Sequence, residues 1–333
     1  MSFNDWIVEP NEALDLTYFI NAISDDTFYH QHYQDVRVHW LDVFGRNGQQ
    51  LIRQSRERIP MSALSILWYH FNLRHLEDII RFLDHHEVEK LQFSDRFKLD
   101  SIVSIKTLFS SIDIIRECFD MLRAHGVHTR WRENIRPHIV SVTEQYTDIL
   151  SKLYPLESIQ SLVSQFLGSA PYSSYSIYMC TYIKPITVQL SKNAMATHQG
   201  PPGYMPLPNH IVNMCIHESL HGFNGSDEAQ EEQKKLCEWS PAFNSKYQEL
   251  LTKWQSGPEE FFVVGAEAYL SELLGHRTYE QCIQFLNLQN GGMSLSKEIY
   301  ERLRATRPET NAGWKGYGSW LVHALKNREI AYK

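Results

Sequence analysis

The sequence predicts a mainly α protein of the α+β class, with a helical N-terminal region and a second region that carries a small β-sheet. Three observations support this. Apolar residues recur at threes and fours through most of residues 11–153, the period of helices packed on a core. One stretch, Tyr172 to Leu190, is instead dense in Tyr, Ile, Val and Thr, residues that favour strands. The chain has 333 residues, 43% hydrophobic and 21% charged, a globular composition with room for two domains. The expected domains are 1–155, helical, and 156–333, which contains the chemistry.

In chain order, Asn11 to Ser24 holds Leu14, Leu16, Phe19, Ile20 and Ile23 at helical spacing, and Asp26 to Phe44 holds Tyr29, Tyr33, Val36, Trp40 and Val43. Met61 to Leu83 repeats the pattern, and Leu99 to Ala124 is the longest run, stopped by Gly126. Val127 to Leu153 is helical but interrupted by Pro137, which removes one N–H and predicts a kink or break. Leu156 to Leu167 is a short helix ended by Gly168. Two strands come next, roughly 174–182 and 186–190, parted near Lys184-Pro185. Lys192 to Leu207 reads as a loop because of Gly200-Pro201-Pro202-Gly203. Asp227 to Lys235 reads as charged and exposed, and Pro241 to Trp254 as a helix. Pro258 to Leu270, Thr278 to Leu288 and Ser294 to Arg304 are further helices, before a tail with Gly-flanked Tyr317.

Pro208 to Asn224 contains His217-Glu218-Ser219-Leu220-His221, an H-E-x-x-H. Positions four apart share a helix face, so His217 and His221 can grip one metal ion, with Glu218 beside them to touch its water. Pro208-Asn209 starts and caps the helix; Ile211, Val212, Cys215, Ile216 and Leu220 supply its apolar surface. Zinc is the expected ion. A catalytic zinc site takes three protein ligands and leaves a fourth position open. Glu260 and Glu267 lie seven apart on one face of an apolar helix, where a carboxylate is costly unless paired or metal-bound. Glu260 fits the third ligand, and Glu267 a carboxylate that fixes a ligand histidine from behind. First-turn dipole compensation is the competing reading of Glu260 and the favoured one of Glu259.

HESLH with a distal Glu resembles the gluzincin metallopeptidases. The segment EFFVVGAE, Glu260 to Glu267, is similar to the E-F-F-x-V-x-x-E helix of the Mlc titration factor A family. It is also similar to the E-F-F-x-x-A helix of the anthrax lethal factor catalytic domain. The resemblance covers about 60 residues and implies a zincin-like domain, with Glu260 as third ligand and an antiparallel edge strand lining the cleft. It further implies a Tyr or His that steadies the oxyanion. Tyr317 is the first choice because of its glycine-flanked, mobile setting, with His323, Tyr269 and Tyr279 behind it; aromatic packing is the competing reading of Tyr317. The expected activity is hydrolysis of peptide bonds, with Glu218 as general base to a zinc-activated water and as proton donor to the leaving amine.

The expected partner is a peptide or protein substrate. Net charge is −7 without long runs of one sign, and the basic cluster Arg130, Arg132, Arg136 is too small for a nucleic-acid footprint. The start MSFNDWIVEP has no leader pattern and no apolar run approaches a membrane span. Cys118, Cys180, Cys215, Cys237 and Cys282 are odd in number and lack C-x-x-C spacing, which points to reduced thiols and a cytoplasmic setting. Export without a cleaved leader stays open. A bundle di-metal site is disfavoured, because Glu218 to His221 is the sole E-x-x-H. Two other readings compete with the hydrolase: an inactive zincin-fold binding module, and a helical interaction protein with a chance H-E-x-x-H. The oligomeric state is not legible.

Overall fold

A computed structural model describes residues 5–84, 110–184, 186–200, 208–225, 227–254, 257–288 and 294–330. It is mainly helical with one four-stranded mixed sheet, the α+β class expected. Two compact units emerge. One comprises Trp6–Ile149 and Tyr175–Pro206; the other is built mainly from Leu150–Ser174 and Leu207–Lys333. The strand segment therefore groups with the N-terminal helices, and the H-E-x-x-H segment with the tail.

In the first unit the helix Glu12–Ile23 is buried on every side. Asn11 caps it by accepting the Leu14 N–H at 3.0 Å. Its polar side chains are buried but partnered, as low-dielectric surroundings demand. Glu12 accepts two hydrogen bonds from Arg132, at 2.7 and 2.8 Å. Thr17 accepts from Trp68 at 3.0 Å, and Asn21 from Arg56 at 2.8 Å. The basic cluster around Arg132 is thus partly internal: Arg132 serves Glu12 and Glu77, and Trp131 is buried.

Several boundaries differ from the sequence reading. The Asp26–Phe44 pattern divides into Thr27–His30 and Gln34–Arg58, the latter bent at Gly45. The Met61–Leu83 pattern divides into Met61–His70 and Leu76–Asp84. There Asp78 accepts the Arg74 and His75 N–H groups, and Glu12 accepts that of Leu76, a start that periodicity alone cannot reveal. Of the long run Leu99–Ala124, Ile112–Ala124 is helix; the part of that run up to residue 109 lies outside the described residues. The Val127–Leu153 segment is in pieces around Pro137: Val127–Arg130, a π-turn, and a helix whose second residue is Pro137. The π-turn, Trp131–Ile135, precedes the helix Arg136–Leu153, and its wider spacing relieves the missing N–H bond.

The sheet has the order β1-β2-β4-β3: β1 is Asp5–Pro10, β2 Ser174–Cys180, β3 Val188–Ser191 and β4 Ala194–His198. Strands β2 and β4 are parallel, and β3 runs antiparallel to β4. The expected loop 192–207 thus contains β4; its Gly-Pro part lies outside the described residues. Alternation is weak in AMATH because four of its five residues are buried, so nothing in its period marks a strand. Asp15 closes the end of β2. Its carboxylate accepts the Thr181 and Tyr182 N–H groups at 2.8 and 2.9 Å and the Trp131 indole at 2.7 Å.

In the second unit the helices are Leu156–Leu167, Pro208–Leu220, Asp227–Trp239, Pro241–Trp254, Glu260–Leu273, Tyr279–Leu288, Ser294–Thr306 and Tyr317–Lys326. The Asp227 segment is not simply exposed: Ala229, Glu232, Gln233 and Leu236 are buried, so it is an amphipathic helix. The tail docks against the end of Leu156–Leu167. The Trp314 indole donates to the Gln165 carbonyl at 3.0 Å, and Gly316, at φ 100°, approaches so closely that a Cβ there would stand 2.3 Å from the Leu167 oxygen. Among the described residues no helix is long and apolar enough to cross a membrane.

Candidate metal centre

Two helices build the site. The motif helix, Pro208–Leu220, buries Ile211, Val212, Cys215, Ile216 and Leu220. This leaves His217 and His221 on one side, each with a side chain 20% exposed. His221 opens a 3-10 turn, His221–Gly225. The carboxylate helix, Glu260–Leu273, buries every residue from Phe261 to Ser271. Polar pins tie the two together: the buried Asn213 Oδ1 lies 3.0 Å from Ser271 Oγ and 3.2 Å from His276 Nδ1.

Glu260 is the first residue of its helix, and the packing of the next two residues fixes its position. Phe261 and Phe262 are buried beside Phe243. The Phe261 carbonyl accepts the Ser296 hydroxyl at 2.6 Å, and the Phe262 carbonyl accepts the Tyr317 hydroxyl at 2.8 Å. Further along, Gly265 lets the helix Ser294–Thr306 approach: a Cβ there would meet the Ser296 carbonyl oxygen at 2.6 Å.

The structure brings His217, His221 and Glu260 together, with one ligand atom from each within 4.8 Å of the others. His217 Nε2 lies 3.4 Å from Glu260 Oε2, and His221 Nε2 lies 3.5 Å from Glu260 Oε1. Donors about 2.1 Å from a tetrahedral ion stand about 3.4 Å apart, so both separations match the edge of such a tetrahedron. Behind His217, its Nδ1 faces Glu267 Oε2 at 3.1 Å, the position expected for a carboxylate that holds the ring. Glu218 is the next residue after His217 on the helix and is 7% exposed.

The electrostatics favour positive charge here. Burial disfavours a proton on His217, but the Glu260 and Glu267 carboxylates outweigh it and lift its pKa well above the ordinary value. Burial works against the Glu260 charge too, yet His217 pulls its pKa down to about 2. Burial, aided by repulsion from His217, drops His221 to about 4 and keeps it neutral. His221 and Glu260 thus already stand in the neutral-imidazole and ionised-carboxylate forms that bind metal, whereas His217 would give up its proton to an ion.

The candidate oxyanion donors lie in other settings. Tyr317 is fully buried, bonded to Phe262 and packed against Phe166, Phe223 and Trp320, the setting that the aromatic packing reading expects. Tyr269 donates to Glu309 at 2.7 Å and Tyr279 to Glu301 at 3.1 Å. His323 is on the exposed face of the tail helix, 2.8 Å from the Asn327 amide. Two contributors escaped the sequence reading, Arg277, which pairs with Glu267 at 2.8 Å, and Ser296. Neither sits at a spacing that marks it.

No family model, no curated protein and no solved structure matches this chain.

Proposed function

We propose that the chain is a zinc-dependent metallopeptidase. The observation that carries this reading is the convergence of two imidazoles from one helix and one carboxylate from another, with tetrahedral spacing. Nitrogen and oxygen donors in that number suit zinc. Bound zinc supplies a water acidified toward neutrality and a Lewis acid for a carbonyl. His217, His221 and Glu260 would hold the ion, and Glu267, facing Nδ1 of His217, would keep that ring turned with Nε2 toward it. Glu218, the neighbour of His217 on the same helix, accepts the proton of the attacking water and returns it to the leaving amine. The substrate is a peptide or protein. The five cysteines, four of them buried and none in a disulfide, support a reducing, cytoplasmic setting.

The test is cleavage of an unbiased peptide library by the wild type beside Glu218→Gln. The variant is expected to keep its zinc and lose cleavage by at least about 100-fold, the contribution of a general base. Equal cleavage by the two proteins would refute the reading.

A further inference from the structure

Arg277 lies outside the ligand set and behind it. The carboxylate helix ends at Leu273. The chain then turns through Gly275, and the N–H groups of His276 and Arg277 bond back to the Ser271 carbonyl at 2.9 and 3.2 Å. That turn sends the Arg277 side chain back along the helix to Glu267, where Nη1 donates to Oε1 at 2.8 Å. The side chain is 15% exposed, and its guanidinium sits 3.9 Å from the centroid of the Phe285 ring. The other oxygen of Glu267 faces His217 Nδ1 at 3.1 Å. Guanidinium, carboxylate, imidazole and the Glu260 carboxylate therefore stand in series.

We infer that Arg277 is a positioning residue for the metal site. A glutamate held by one oxygen turns freely about its last torsion, which is broad and roughly two-fold. Arg277, seated on Phe285, holds Oε1 through one N–H while Oε2 faces His217, so the carboxylate is tied at both oxygens and that torsion is fixed. Oε2 of Glu267 is then held against Nδ1 of His217, and Nε2 of that ring is aimed at Glu260 and His221. Arg277 also balances the charge of a Glu267 only 5% exposed, which is otherwise costly to bury. A lysine would supply the charge without the guanidinium's rigid seat on Phe285. The inference rests on the proposed zinc site.

The experiment measures zinc dissociation constants by chelator competition for wild type, R277M, R277K, E267Q and the double variant E267Q/R277M. It also records visible spectra of the cobalt-substituted proteins. R277M is expected to weaken zinc about 10- to 100-fold, as loss of groups behind a ligand does, and to shift the cobalt bands. R277K should recover part of the loss. Because Arg277 acts through Glu267, the double variant should bind within about twofold of E267Q alone. Circular dichroism of the metal-free proteins checks folding; R277Q makes the same comparison if R277M does not fold. Wild-type affinity in R277M, or full addition of the two single losses in the double variant, would overturn the inference. Absence of stoichiometric zinc in the wild type would instead refute the metal reading itself.

Discussion

Replacing Gly265 by alanine should destabilise the protein although alanine is the better helix former. The substitution gains about 1 kcal/mol of helix propensity. Against this, the new Cβ would stand 2.6 Å from the Ser296 carbonyl oxygen, 2.9 Å from Ile299 Cβ and 3.0 Å from Ile299 Cγ2. The nearest of these atoms is backbone and cannot swing aside, so the Ser294–Thr306 helix must move away. Overpacking of this kind costs about 1–3 kcal/mol. With a rigid carbonyl in the way we take the upper half of that range, which leaves a net loss of about 1–2 kcal/mol. Moving that helix also disturbs Ser296, whose hydroxyl pins the Phe261 carbonyl next to Glu260, so zinc affinity should fall as well. Urea denaturation of the metal-free protein measures the first effect and chelator competition the second. A G265A variant as stable as the wild type, or more so, would refute the argument.

Four further outcomes are expected. His217→Ala should abolish stoichiometric zinc; full retention, measured by atomic emission after dialysis, would contradict the ligand assignment. Glu260→Gln should weaken zinc by at least about 10-fold, since an amide oxygen carries no charge for the ion; titration against a chromophoric chelator decides it. Tyr317→Phe should cost about 1 kcal/mol of stability, the worth of one hydrogen bond, and leave cleavage of a reporter peptide largely intact. A kcat loss of about 100-fold with unchanged zinc would instead restore Tyr317 as an oxyanion donor. Asp15 supplies a pH signature: burial lifts its pKa from 3.8 to about 6 against the pull of its N–H donors. The folded state then binds more protons than the unfolded one between those values, so stability falls as pH rises through that window. The fall is of the order of 3 kcal/mol, and denaturation of Asp15→Asn across pH 4–7 should lack it.

Where a segment has one exposed and one buried side, or a strong stop, the sequence carries its structure openly. The helices ending at Gly168 and beginning at Pro241 match their expected limits, because a glycine stop and a proline start are local events. The convergence of His217, His221 and Glu260 was legible because H-E-x-x-H fixes two donors on one helix and the few acids on an apolar helix limit the choice of the third. What was not legible depends on partners remote in sequence. The N–H groups of Leu76 and its neighbours are capped by Glu12 and Asp78, β4 is buried on both faces, and Arg277 reaches Glu267 only because the chain turns back after Leu273. The setting of Tyr317 was hidden for a related reason: flanking glycines suggest mobility, yet here Gly316 permits a close approach to Leu167 that clamps the segment.

That clamp changes what the end of the chain is for. Gly316 lies against the Leu167 carbonyl, Trp314 bonds to Gln165, and Tyr317 reaches the first turn that presents Glu260. The segment Trp314–Tyr317 thus braces the start of the Glu260 helix against Leu156–Leu167, while the helix that follows packs chiefly on Asp227–Trp239. Shortening the chain before residue 313 would leave Glu260 without this brace, so on the proposed metal reading a truncated form should bind zinc more weakly instead of becoming more accessible.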